Sequence, residues 1–126
     1  MNETPISTYL EALDRGNMEA AAAAFTEDAV YMRPAAGDGG FEILEGKQAI
    51  QDAFERRGKR PYTHEVRTFA IDDGHCLAEG IVSGDGVTLV FTASATVEAD
   101  GLLSRYLGVS RAISSEELVA IERTRR

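Results

Sequence analysis

A chain of 126 residues with 44 % apolar and 27 % charged side chains has the composition of one folded domain, long enough to bury a core and too short for two. Its formal charge of −8 is the wrong sign for nucleic acid or an anionic membrane, both of which recruit clustered Lys and Arg. The single cysteine, Cys76, excludes an internal disulfide and a cysteine-built zinc site, and is expected as a small buried apolar residue in a reducing compartment.

Residues Pro5 to Phe25 place Ile6, Tyr9, Leu10, Leu13, Met18, Ala22 and Phe25 at helical spacing, broken once at Gly16. The spacing predicts two short helices, "ISTYLEALDR" and "NMEAAAAAF", the first closed by Gly16 and the second capped by Asn17. "AVYMR" then alternates as a strand that Pro34 terminates, and "AAGDGG" reads as a loop. Behind Gly46, "KQAIQDAFERR" puts Ile50, Ala53 and Phe54 on one face of a third helix. From Tyr62 the period changes to two. "YTHEVRTFAI", "CLAEGIVSG", "VTLVFTASATVE" and "LLSRYLGVSR" are four strands joined at "DDGH", "GDG" and "ADG", an antiparallel meander with apolar residues on both faces. Ser114 with Glu117 three residues on has capping-box spacing and opens a terminal helix over about 114–124. The basic runs Arg56, Arg57, Lys59, Arg60 and Arg123, Arg125, Arg126 fall at helix ends, where cations are favoured, and read as solvated. No apolar run approaches the roughly 20 residues of a membrane helix, and the first residues lack the pattern of a signal peptide, so a cytoplasmic location is expected.

Helices first, then a strand, a helix and a curved meander make an α+β arrangement with helices on one sheet face and a pocket at the open end. The residues that carry this order, "YLEALDRGNMEAAAAAFTEDAVYMRP" followed by "LEGKQAI" and "ADG" before the last strand, resemble the SnoaL-like and ketosteroid-isomerase-like proteins of the nuclear transport factor 2-like superfamily. The resemblance covers about residues 6–111 of a single domain spanning 1–126. It implies a cystatin-like curved antiparallel sheet wrapped on the N-terminal helices, a cone-shaped pocket, a small and mostly apolar ligand, and a homodimer built on the outer sheet face. It implies no cofactor.

Three positions of the ketosteroid isomerase branch carry over by this resemblance. The oxyanion-donating tyrosine falls on Tyr9, the general-base aspartate falls on Arg33, and the second oxyanion donor falls near Ala93. A guanidinium stays protonated at physiological pH and cannot be that base, so the branch's isomerisation mechanism is not expected. The aspartate pair around an arginine that epoxide-hydrolase relatives need is not placed on the inner face either.

Strand parity within this fold puts Tyr31 and Arg33 inside, with Ala78, Gly80, Phe91, Ala93, Ser104, Tyr106 and Gly108. A face so rich in Gly and Ala leaves room for a cavity. A one-residue slip would instead turn Glu79 and Arg105 inward. Phe54 is expected as an aromatic contribution of the third helix to the pocket. His64, opening the first meander strand, is the candidate acid or base. His75 sits in a turn, and two isolated histidines make no metal motif.

Three readings follow. The first is a binding pocket for an apolar molecule with an anionic or enolate oxygen at Arg33, its walls Tyr31, Phe54, Phe91, Ala93, Ser104 and Tyr106. The second is an isomerase, cyclase or lyase-like enzyme in which Tyr9 and Arg33 stabilise an enolate and His64 moves the proton. The third is a dimeric scaffold with a filled core, in which Arg33 merely pairs with Asp38 or Glu42.

Overall fold

The computed structural model describes residues 3–35 and 39–124, so Asp38 lies outside the described residues. The order is α1 (Pro5–Arg15), α2 (Met18–Ala23), β1 (Phe25–Pro34), β2 (Phe41–Glu45), α3 (Lys47–Arg57), β3 (Thr63–Asp72), β4 (His75–Gly84), β5 (Val87–Val97), β6 (Leu103–Ile113) and α4 (Ser115–Arg123). Local chemistry sets the helix ends. Thr4 and Ser7 cap α1 reciprocally, the Asn17 side chain accepts from the Ala20 amide, and Ser114 with Glu117 forms the capping box of α4. Exposed though it is, the Glu117 carboxyl is held below its usual range by its hydrogen bonds to Ser114.

Six strands form one sheet in the order β2-β1-β6-β5-β4-β3, with every pair antiparallel except β1 beside β6. The meander β3 to β6 follows the period-two pattern, and two of its turns place Asp73–Gly74 and Asp85–Gly86 at positive φ, the backbone of a tight hairpin. The first strand is twice as long as its alternation indicates. It starts at Phe25, which α2 does not reach, because Phe25 pairs with Leu103 of β6, and the polar "TED" is carried in an irregular stretch between that pair and Val30. The "FEILE" strand is a second departure from the sequence reading. It is an edge strand with Phe41 and Ile43 exposed, while Leu44 packs against the core.

The core lies between the inner sheet face and α1, α2 and α3. Its centre is five rings, Tyr9, Phe25, Tyr31, Phe54 and Tyr106. Tyr9 stacks on Phe54 at 5.6 Å and Tyr31 on Tyr106 at 5.1 Å, while the other contacts are edge-on. Each such pair adds about 0.5–1.5 kcal/mol beyond its buried area. Burial pushes the phenols of Tyr9 and Tyr106 well above their usual range, aided by their tyrosine neighbours. Burial also raises Tyr31, against the opposing effects of its hydrogen bond to Tyr9 and of Arg33. Cys76 is buried in the same core, and burial raises its thiol.

On the outer face α4 reaches Ile81 and Val90 through Ile121, and Arg67 pairs with Glu122. The rest of that face, around Leu77 and Val109, is bare. No helix among the described residues is long and apolar enough to cross a membrane.

Two expectations about stability follow from this packing. A Cβ at Gly80 would stand 2.0 Å from the Glu65 carbonyl oxygen and 2.7 Å from the Phe91 ring, so Gly80→Ala should cost about 3 kcal/mol or more in urea unfolding, because backbone must move. The three buried phenols have folded pKa values above the unfolded value of about 10, so their stabilising contribution is complete below that pH and is lost as pH rises through the folded values. Phenolate absorbance from Tyr9, Tyr31 and Tyr106 should therefore appear together with loss of circular dichroism in an alkaline titration, not before it.

Candidate functional site

The inner face does not close over the aromatic cluster. A cavity of about 240 Å³ opens there, walled by Leu10, Leu13 and Tyr9 of α1, Tyr31 and Arg33 of β1, Arg57 of α3, His64 of β3, Phe91 of β5, and Tyr106, Gly108 and Ser110 of β6. Gly108 keeps part of it open, since a Cβ there would meet the Tyr106 ring at 2.8 Å. Of the small inner residues, Gly108 borders this cavity, whereas Ala78, Ala93 and Ala95 are packed into the core.

Arg33 reaches the cavity from the end of β1. Its direct cross-strand partner is Glu42, and Arg33 Nε donates to Glu42 Oε1 at 2.7 Å. Burial works against the Arg33 charge, but the hydrogen bond to Glu42 and the Glu42 charge outweigh it and hold the guanidinium protonated. The same guanidinium lies 5.8 Å from the centre of the Tyr31 ring. Arg33 is thereby charged but locally balanced.

Tyr9 and Tyr31 share a 2.8 Å hydrogen bond between their hydroxyls. Two hydroxyls carry two protons, and the bond between them uses one. The other is left to donate to a cavity oxygen, and burial keeps both groups neutral donors.

His64 is held from below by Asp14, near the C-terminal end of α1. Asp14 Oδ1 lies 2.8 Å from His64 Nδ1, and Asp14 Oδ2 accepts the His64 backbone amide at 2.7 Å. A carboxylate can only accept, so Nδ1 carries the hydrogen and Nε2 is the ring nitrogen left for a molecule in the cavity. The ring also packs edge-on to Phe91, with centroids 5.5 Å apart. Lys59 Nζ donates to the Asp14 carbonyl oxygen at 2.8 Å, which brings a cation to the same helix end.

Of the residues singled out in the sequence, Tyr9, Tyr31, Arg33, His64, Phe91 and Tyr106 come together around one space. Phe54 does not line it; it lies wholly buried, stacked on Tyr9 as the floor of the cluster. Ala93 is buried but borders the groove on the outer face. Ser104 is turned away. A bulge between Val97 and Thr96 in the β5–β6 pairing shifts the parity, so Leu103 takes the inner position and Ser104 donates to Glu98 at 2.6 Å. Glu79 and Arg105 face outward and are exposed, which settles the register of the meander.

Two further residues stand at the site: Asp14, which no expectation named, and Arg57, expected as a solvated helix-end cation but half-buried on the cavity wall. Both had a signal in helical spacing: Asp14 follows Leu10 by four, and Arg57 follows Ala53 and Phe54 by four and three, so each shares a buried face. Among the described residues no three of His, Cys, Asp and Glu stand close enough together to hold a metal ion.

Comparison with known proteins places this geometry. The family model for the SnoaL-like domain matches residues 6–106. No curated protein matches the chain. Among solved structures, an NTF-2 like protein of unknown function from Burkholderia xenovorans is 15 % identical, with 97 % of this chain and 91 % of that one covered and a TM-score of 0.72. A candidate ketosteroid isomerase from Kribbella flavida is 19 % identical over 88 % of this chain and 78 % of that one, with a TM-score of 0.67. A candidate polyketide cyclase from Sinorhizobium meliloti is 25 % identical over 82 % of this chain and 92 % of that one, with a TM-score of 0.62. The six-stranded curved sheet on three helices is thus the cystatin-like, NTF2-like fold, and the chain belongs to the SnoaL-like domain family.

Proposed function

We propose that the chain is an enzyme that moves a proton beside a carbonyl or hydroxyl oxygen of a small, mostly apolar molecule, as an isomerase, cyclase or dehydrating lyase does. The observation that carries this reading is the Asp14–His64 pair on the wall of a cavity that also holds the Tyr9–Tyr31 hydroxyls. The substrate oxygen accepts from the tyrosine pair, where neutral donors stabilise the charge that develops on it. His64 Nε2 takes the adjacent proton, and Asp14 stabilises the imidazolium that forms. The proton then returns to another carbon or to a departing hydroxyl. Arg33 does not supply the base. Its positive charge near Tyr31 makes that phenol the better donor.

A cavity of about 240 Å³ falls below the range of about 300–1,000 Å³ usual for drug-sized ligands, which favours a substrate of one or two rings. The pair Arg33–Glu42 forms as the scaffold reading anticipates, yet an open cavity lies beside it, and that supports the enzyme over a filled scaffold. A pure binding protein is the second reading, favoured by the apolar walls Leu10, Leu13 and Phe91. The bare outer face, with Leu77 63 % and Val109 42 % exposed beyond the edge of α4, supports a homodimer through that face. The reducing cytoplasm is the compartment proposed, in keeping with the single buried thiol.

Deuterium incorporation from heavy water into β-tetralone, a neutral two-ring ketone, tests the enzyme reading. The wild type should accelerate exchange, and His64→Gln should lose about 10²–10⁴ of that acceleration. Asp14→Asn should lose about 10² with the fold intact by circular dichroism. Binding without exchange would favour the binding protein, and unchanged exchange in His64→Gln would remove the histidine from the chemistry. For the dimer, Leu77→Glu should halve the mass measured by light scattering.

A further inference from the structure

The cavity wall holds two guanidiniums, and their surroundings differ. Arg33 is ion-paired with Glu42. Arg57, half-buried on the face of α3 that carries Ala53 and Phe54, makes no ion pair among the described residues. Its neighbour Arg56 is exposed and off the cavity, so the end of α3 already has a cation in water to complement its dipole. Asp14 is engaged by His64, and Lys59 donates to its carbonyl oxygen. In a chain of net charge −8, this leaves on the cavity wall a cation that makes no ion pair among the described residues.

We propose that Arg57 binds a carboxylate of the substrate, so that the molecule taken by this cavity is a small oxo or hydroxy acid with an apolar ring or chain, and Arg57, not Arg33, reads its charge. The inference rests on the reading of the cavity as a small-molecule site and names the class of molecule. A guanidinium presents a planar fork of donors that a carboxylate matches in two hydrogen bonds, and a half-buried site screens the pair less than open water does. The tyrosine pair then receives the oxo or hydroxy oxygen, His64 the proton between, and Phe91 and Tyr106 the apolar body. Arg57 is also close enough to Tyr9 and Tyr31 to favour their ionised forms, which agrees with its charge acting in the same space.

The test uses para-acetylbenzoate and its neutral carboxamide, para-acetylbenzamide, as probes with the full chain, and reads each Kd by calorimetry. The wild type should bind the acid about tenfold more tightly than the amide, and the preference should shrink with added salt. Arg57→Gln should abolish the preference while keeping amide binding, Arg57→Lys should keep part of it, and Arg56→Gln and Arg33→Gln should keep it. The salt dependence in the wild type reads the charge without any variant, so a failure of Arg57→Gln to fold does not remove the test. Equal affinities in the wild type, binding of neither probe, a preference that survives in Arg57→Gln, or one lost in Arg33→Gln would each overturn the inference. Exchange of β-tetralone is read without a carboxylate, so a wild type that catalyses exchange but shows no acid preference sinks this inference alone, and a preference without exchange sinks the acid–base reading alone.

Discussion

Both oxygens of the Asp14 carboxylate are engaged by one residue, His64, through its ring and its backbone amide. The second bond fastens the end of α1 to the start of β3, and the first fixes which imidazole nitrogen is left over. The helix that carries Asp14 also carries Tyr9, one and a half turns earlier, so the same element sets the height of the phenol pair relative to the histidine. Shifting α1 along the sheet would therefore disturb the ring cluster, the Tyr9–Tyr31 bond and the His64 ring together. The cavity exists where these attachments stop.

Packing around that attachment explains why the cavity is shaped as it is. The five-ring cluster fills the space between the helices and the sheet, and its three tyrosines, Tyr9, Tyr31 and Tyr106, border the opening. Glycine at position 108 borders the open space, while the small residues Ala78, Ala93 and Ala95 are packed into the core. Charge follows the same logic of partial satisfaction. Arg33 meets its acid directly across the β1–β2 ladder, whereas Arg57, at the end of α3, makes no ion pair among the described residues.

The sequence made the meander legible, because period two with Asp–Gly turns has one structural answer. It also indicated the helices and the rings on their buried faces. The first strand was legible only from Ala29 on, since Thr26, Glu27 and Asp28 have no strand preference and are carried into the strand as an irregular stretch between Phe25 and Val30, which pair with the distant β6. Ser104 was misplaced for a related reason: parity carries across a strand only if the ladder has no extra residue, and the bulge beside Val97 is set by tertiary pairing. The site was half legible. Tyr9, Tyr31, Arg33, His64, Phe91 and Tyr106 converge as parity and family likeness imply, but Asp14 belonged to no motif and Arg57 read as a solvated cation at a helix end, and only the packing of the helices brings them to the site.

The account turns on the protonation pattern that Asp14 imposes on His64. Long-range proton–nitrogen NMR on the imidazole-labelled protein, at a pH where the ring is neutral, reads that pattern directly. The account predicts a hydrogen on Nδ1 and a bare Nε2 in the wild type, with the preference lost in Asp14→Ala. A ring with its hydrogen on Nε2, or a tautomer unchanged by removing Asp14, would contradict it.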